Sequence, residues 1–92
     1  MSEELKIFWG EIRKIQDYAV NVSLSKASNY NSMEEQLNDV TYETIYRIME
    51  LLDGYKNASL KGNIIESSSG KVINSDIDLH NLCEDFLKFS DV

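Results

Sequence analysis

The clearest pattern of apolar and polar positions lies in the middle of the chain, in residues 41–54. Apolar side chains recur there at the i, i+3, i+4 and i+7 spacing of one helical face: Ile45, Ile48, Met49 and Leu52. Thr41 or Asp39 can cap the start of this helix, and Gly54 can adopt the left-handed conformation that ends one. Tyr42 and Leu51 widen the apolar arc, so we predict a central helix that contacts more than one neighbouring element.

The helix has two candidate starting points. Ser32 and Glu35 match a capping box, and apolar residues after Met33 can continue in phase into the central pattern. One interpretation is a single helix over residues 33–53, and the other is a short helix broken at Asn38-Asp39. We favour the continuous or kinked helix.

A second helical pattern occupies the amino-terminal quarter. Its apolar positions are Leu5, Phe8, Trp9, Ile12, Ile15, Ala19 and Val22. This spacing predicts a helix over residues 3–23, which Ser2 can cap. Its end is ambiguous, because Val20, Val22 and Leu24 alternate with small polar residues as in a short strand. Residues 25–32 have no periodicity and are predicted to form a loop.

The last third of the chain has a different pattern. Two β-branched pairs, Ile64-Ile65 and Val72-Ile73, flank residues 67–70, which end in Gly70. We predict a β-hairpin within residues 60–74, with Gly70 at positive φ. A final helix is expected to begin at Ser75 or Asp76; its apolar residues are Leu79, Leu82, Cys83, Phe86 and Phe89. The predicted fold class is therefore α+β and mainly helical, in a single domain over residues 1–92.

Charge narrows the range of partners. The formal net charge is −7 and the pI is about 4.5, and the nine basic residues form no cluster beyond Arg13-Lys14. Because nothing could neutralise a row of phosphates, we expect no binding to nucleic acid or to anionic membrane surfaces. With a single cysteine, no disulfide can form within the chain, and no secretion signal is recognisable, so we expect a cytoplasmic protein.

No residue pattern indicates catalysis or a cofactor. His80, the only histidine, falls opposite Leu82 on the predicted helix, so we expect it to be exposed, with Glu84 as its neighbour. Cys83 falls on the apolar side and is predicted to be a small buried residue instead of a nucleophile. The acidic pairs lack the spacing of calcium or zinc sites and are explained by helix capping and solvation. We therefore expect a protein that is not an enzyme and has no metal or cofactor site.

The aromatic residues suggest an interaction surface instead. Tyrosine and tryptophan are favoured at interfaces because they bury much area while keeping a polar tip. The candidate interaction residues are Trp9, Tyr18, Tyr42, Tyr46, Tyr55 and His80. We also expect a homodimer, formed through some of these residues or through an edge of the hairpin.

The leading hypothesis is a small acidic module that binds another protein, such as an inhibitor or immunity protein that covers a basic partner. One alternative is a DNA-mimicking anti-restriction or phage-encoded factor, which requires carboxylates in rows. A second alternative is a protein that binds a small molecule in a pocket between the central helix and the hairpin, close to His80 or several tyrosines.

Overall fold

Two long helices packed side by side form the frame of the protein, which a computed structural model describes over residues 1–92. Helix α1 spans Glu3–Ser25, and helix α2 spans Met33–Leu52. A short 3-10 turn, Ala27–Asn29, lies between them. A second 3-10 turn, Ala58–Leu60, follows α2, and a third, Leu79–Leu82, runs directly into the one-turn helix α3, Cys83–Phe86. No helix combines the length and the apolar composition that crossing a membrane requires.

Helix α1 confirms the prediction from its apolar spacing and extends two residues beyond it. The Ser2 hydroxyl accepts a hydrogen bond from the Leu5 backbone N–H at 3.1 Å, which caps the first turn. The alternative of a strand near Val22 is wrong, because these residues continue the helix. Ile15 and Ala19 are buried, so the middle of α1 supplies much of its contribution to the core.

Helix α2 is continuous, as we favoured. The Ser32 hydroxyl accepts from the Glu35 backbone N–H at 3.1 Å, and the Glu35 carboxylate accepts from the Asn31 backbone N–H at 2.8 Å. A break at Asp39 does not occur. This residue is buried and pairs with Lys26 at 3.0 Å, so its role is a tertiary contact with the end of α1.

The burial pattern of α2 differs from the predicted one. The helix contacts α1, the third 3-10 turn and α3, which confirms more than one neighbour. However, Leu51 is the residue that is fully buried, at 0% exposure, whereas Ile45 is 36% exposed. Contacts of Lys26 with Asp39 and of Tyr18 with Arg47 show that α1 packs on a side of α2 that carries charged residues. The apolar stripe therefore identified the helix but not the side that its neighbour covers.

The predicted β-hairpin is wrong, and with it the α+β fold class: the protein is helical and contains no strand or sheet. The segment does reverse direction. Ile65 and Val72 form one isolated antiparallel bridge, and Gly70 has φ +74° as predicted. The isoleucines of the segment stay exposed because no helix or second sheet covers them. A lone two-stranded ribbon is marginal in water, so pairing stops at one bridge.

A buried asparagine extends the link between the two arms of the segment. The Asn74 side-chain oxygen accepts from the Ile64 backbone N–H at 2.8 Å, and its amide donates to the Gly62 carbonyl at 3.2 Å. Nearer the turn, two backbone bonds join the same arms: the Glu66 N–H donates to the Lys71 carbonyl at 2.8 Å, and the Ile73 N–H donates to the Ile64 carbonyl at 2.9 Å. The segment is consequently an ordered loop.

The last helix is much shorter than predicted and begins later. Asp76 has φ +56°, so a right-handed helix cannot start there. Helical structure begins at Leu79 and ends at Phe86. Cys83 is buried, as predicted, but Phe86 is largely exposed, because the tight 3-10 start rotates the later residues away from the core.

Candidate functional site

Five aromatic rings lie next to one another in space along one side of the molecule, and we call them the aromatic row: Phe89, Tyr42, Tyr46, His80 and Tyr55. The centroids of successive rings are 5.1, 6.2, 5.5 and 4.6 Å apart. Tyr42 and Tyr46 are adjacent because residues four apart on a helix share a face. The other three rings come from the chain after α2, so the row joins the central helix to the carboxyl-terminal segment.

Asp53 holds the histidine of the row in place. Its carboxylate accepts three hydrogen bonds: from the Leu79 backbone N–H at 2.9 Å, from the His80 backbone N–H at 3.0 Å, and from the His80 ring at Nδ1 at 2.7 Å. Asp53 directly follows α2, so one carboxylate caps the third 3-10 turn and orients the imidazole. Both side chains are almost fully buried.

The prediction that His80 is exposed is therefore wrong. The residue is only 6% exposed, and its ring bonds to Asp53 instead of Glu84. Helical periodicity placed His80 on an outer face, but the residue lies in a 3-10 turn, where that periodicity does not hold. No local pattern indicated Asp53 as its partner, since the two residues are 27 positions apart.

The electrostatics of the pair favour an ionised carboxylate. Burial raises the pKa of Asp53, but the hydrogen bonds from His80 and Leu79 outweigh this effect and hold the pKa below its ordinary value. With Asp53 ionised, Nδ1 of His80 carries a proton and donates it to the hydrogen bond. Such a carboxylate–imidazole pair orients a histidine in many enzymes, where it also requires a nucleophile or a substrate within reach.

The nearest thiol is not suited to that role. Cys83 is buried, and burial together with the charge of Asp53 raises its pKa above the ordinary value. A thiol that stays protonated is a poor nucleophile. The burial of Cys83 therefore agrees with a packing role.

A small recess opens beside the row. It has a volume of about 150 Å³ and is lined by Tyr42, Tyr46, His80, Asn81 and Glu84. Burial, followed by nearby Cys83 and Glu84, raises the pKa of Tyr42, so its hydroxyl stays protonated and can donate. The recess thus presents aromatic rings, an amide and a carboxylate.

A larger recess of about 270 Å³ is lined by residues of α1 and α2 and by Lys56, and Arg47, one of its three cations, is already paired with carboxylates. Arg47 bonds to Glu43 at 2.8 Å and to Glu50 at 2.9 Å. Burial lowers the pKa of Arg47, but these two bonds raise it further than burial lowers it. The guanidinium also lies 5.1 Å from the ring of Tyr18 and 5.4 Å from the ring of Tyr46.

The structure brings together most of the residues that the sequence singled out. Tyr42, Tyr46, Tyr55 and His80 belong to the row, and Tyr18 joins it through Arg47. Trp9 lies elsewhere: it is exposed on α1, edge-on to Phe8 at 5.9 Å. The sequence did not indicate the roles of Asp53 and Phe89, because their contacts depend on how the tail packs against α2. For Arg47, the spacing within α2 accounts for the pairs with Glu43 and Glu50, and only the contact with Tyr18 depends on how α1 packs.

No group of three or more His, Cys, Asp or Glu side chains is placed to hold a metal ion. No protein-family model matches this chain, and searches of curated proteins and of solved structures also gave no match. The arguments for function consequently depend on the site itself.

Proposed function

We propose that the protein acts by binding a basic protein, and that the aromatic row with its recess receives a lysine or arginine side chain of that partner. The observation that carries this proposal is the recess, where two tyrosines and a histidine lie beside the Glu84 carboxylate. A cation next to aromatic rings is stabilised by about 0.5–2 kcal/mol, depending on its desolvation. A carboxylate at the same place adds direct charge pairing.

The distribution of charge supports this choice of partner. Residues 1–26 contain four basic and four acidic side chains, whereas residues 27–92 contain five basic and twelve acidic ones. The entire net charge of −7 therefore belongs to the part of the chain that forms the row. A basic protein would be attracted towards that part, which would raise its association rate at low salt.

The size of the recess favours a side chain over a free metabolite. Small-molecule sites usually enclose about 300–1,000 Å³, whereas this recess has about 150 Å³. The alternative of a small-molecule binder is thus supported only for a very small ligand. The DNA-mimic alternative has less support, because Asp39, Glu43 and Glu50 are engaged in internal ion pairs and Asp53 is hydrogen-bonded to His80.

The function of such binding would be inhibition or masking, as in an immunity protein that covers the basic site of a toxin or nuclease. The test is calorimetric titration with an oligolysine peptide and with basic proteins encoded beside this one, at several salt concentrations. We expect affinity to fall steadily as salt rises. Binding that is absent, or insensitive to salt, would contradict the electrostatic proposal.

Two variants test whether the partner binds at the recess beside the aromatic row. Glu84→Gln removes the carboxylate of the recess without changing its shape, and we expect about a tenfold loss of affinity. Glu66→Gln is the matched control, since it removes the same charge from an exposed residue of the loop over residues 60–74, which does not line the recess. Equal losses for the two variants would show that only the net charge matters and not the recess.

A further inference from the structure

Helix α1 carries a second set of apolar side chains that the packing of the protein leaves exposed. Leu5, Trp9, Val20 and Leu24 are between 43% and 62% exposed. At about 100° per residue they lie within an arc of roughly 100°, together with Arg13 and Gln16, and we call these six residues the outer stripe. Of the buried residues of α1, Ile15 and Ala19 lie outside this arc, and Ser23 lies at its edge, in line with Leu5.

The protein as a whole exposes more surface than its mass predicts. Its accessible surface is 6551 Å², whereas a compact chain of this mass exposes about 5,500 Å². The difference, about 1,000 Å², is close to the ~800 Å² that each partner buries in an interface of standard size. The radius of gyration, 15.1 Å, also exceeds the ~12 Å of a compact domain of this length.

The distribution of charge favours a second copy of the chain as the occupant of the outer stripe. Two whole molecules of charge −7 repel each other, but residues 1–26 have no net charge. Contact through α1 therefore brings the two neutral parts together and keeps the acidic parts apart. Exposed apolar residues outside α1 lack this property: Met33 precedes Glu34 and Glu35, and Phe86 follows Glu84 and Asp85.

The order of residues in the outer stripe is self-complementary. The positions are 5, 9, 13, 16, 20 and 24, with apolar residues at both ends and Arg13 and Gln16 in the middle. The spacing reads the same from either end, as a two-fold axis requires of an antiparallel pair. We propose that two copies dimerise through the outer stripe, with the axis passing between residues 13 and 16. Leu5 then meets Leu24 of the second copy, and Trp9 meets Val20.

Trp9 allows a direct test, because it is the only tryptophan and lies within the outer stripe. Molar mass by light scattering and tryptophan emission are measured on the unmodified protein over a series of dilutions. We expect a dimer at high concentration, and a red shift of emission on dilution as Trp9 becomes exposed to water. A monomer throughout, or a dimer whose dissociation leaves the emission unchanged, would overturn the proposal.

Charge substitutions test the register. Trp9→Glu and Val20→Lys each place one charge in the stripe, and we expect either to weaken dimerisation about 100-fold. Combined in one chain, they place opposite charges face to face at two related points, which should restore most of the affinity. Residues 9 and 20 are eleven apart on one helix and cannot pair within a chain, so rescue reports contact between copies.

Met33→Glu is the matched control, since it adds the same charge to an exposed apolar residue of α2. We expect it to leave the dimer intact, and circular dichroism checks that every variant keeps its helices. Loss of the dimer in this control but not in Trp9→Glu would place the interface on α2 and refute the assignment. The proposal is independent of the partner site, so failure of either experiment leaves the other unaffected.

Discussion

The contact between Asp53 and His80 allows the sharpest prediction about stability. Asp53→Ala removes a carboxylate that accepts hydrogen bonds from two backbone N–H groups and from one ring nitrogen. All three donors belong to Leu79 and His80, at the start of the carboxyl-terminal helical segment. We expect this variant to release residues 79–92 from the end of α2.

The magnitude follows from burial and from the number of bonds. The side chains of Asp53 and His80 are 1% and 7% exposed, so solvent cannot replace the lost acceptor. A buried donor left without its acceptor costs about 1–3 kcal/mol, so three such donors predict a loss of about 3–5 kcal/mol. For a domain of this length, each kcal/mol lowers the melting temperature by about 4–8 °C, so we expect a decrease of roughly 12–40 °C.

Urea unfolding and thermal melting measure the loss, and amide hydrogen exchange locates it. Protection should fall first in residues 79–92, while the middle of α1 and α2 keeps its own protection. Asp85→Ala is the control, because this exposed carboxylate makes no hydrogen bond within the protein and should change stability by less than about 0.5 kcal/mol. A loss below about 1 kcal/mol for Asp53→Ala would refute the reasoning.

Three further predictions concern pH, glycine and capping. The pKa of Asp53 lies below its ordinary value of about 3.9. Its contribution to stability is therefore complete above that value and is lost as pH falls through the folded-state pKa. In urea unfolding between pH 7 and pH 2, the stability of the wild type should converge on that of Asp53→Asn as the pH falls. Gly54→Ala should lower the free energy of unfolding more than Gly70→Ala does. Both glycines have positive φ, which costs an alanine about 1–2 kcal/mol, but only the Cβ added at Gly54 also meets Lys61, at 3.2 Å. Equal losses of stability in urea unfolding would contradict the contact with Lys61. Ser32→Ala should cost about 1 kcal/mol of stability, again measured in urea, because it removes the cap of α2; an unchanged midpoint would mean that another group satisfies the Glu35 N–H.

Local features could be predicted because their causes lie within a few residues. The two long helices follow from apolar residues at helical spacing, and their starts follow from Ser2 and Ser32, whose hydroxyls cap the nearest free N–H groups. The positive φ angles of Gly54 and Gly70 belong to the same class. The prediction of positive φ at Gly70 was right even though the predicted hairpin around it was wrong, since a tight turn needs that conformation whether or not strands continue from it.

Features that depend on distant parts of the chain could not be predicted. The β-branched pairs on either side of Gly70 have the composition of strands, but strands persist only where another sheet or a helix covers one face, and none does so here. The candidate site also divides into predictable and unpredictable parts. Residue type indicated the tyrosines and His80 as candidate interaction residues, but it did not indicate that His80 is buried against Asp53.

The sequence alone therefore determined where the two long helices form, where they begin and that the chain is acidic, because spacing, capping and charge are properties of neighbouring residues. Tertiary structure alone decided which sides of the helices are buried. It placed Leu51 in the core and left Ile45 half-exposed, and it buried His80 against Asp53. A periodic pattern predicts that a side chain will be buried against another element, but which element contacts it depends on how the whole chain packs.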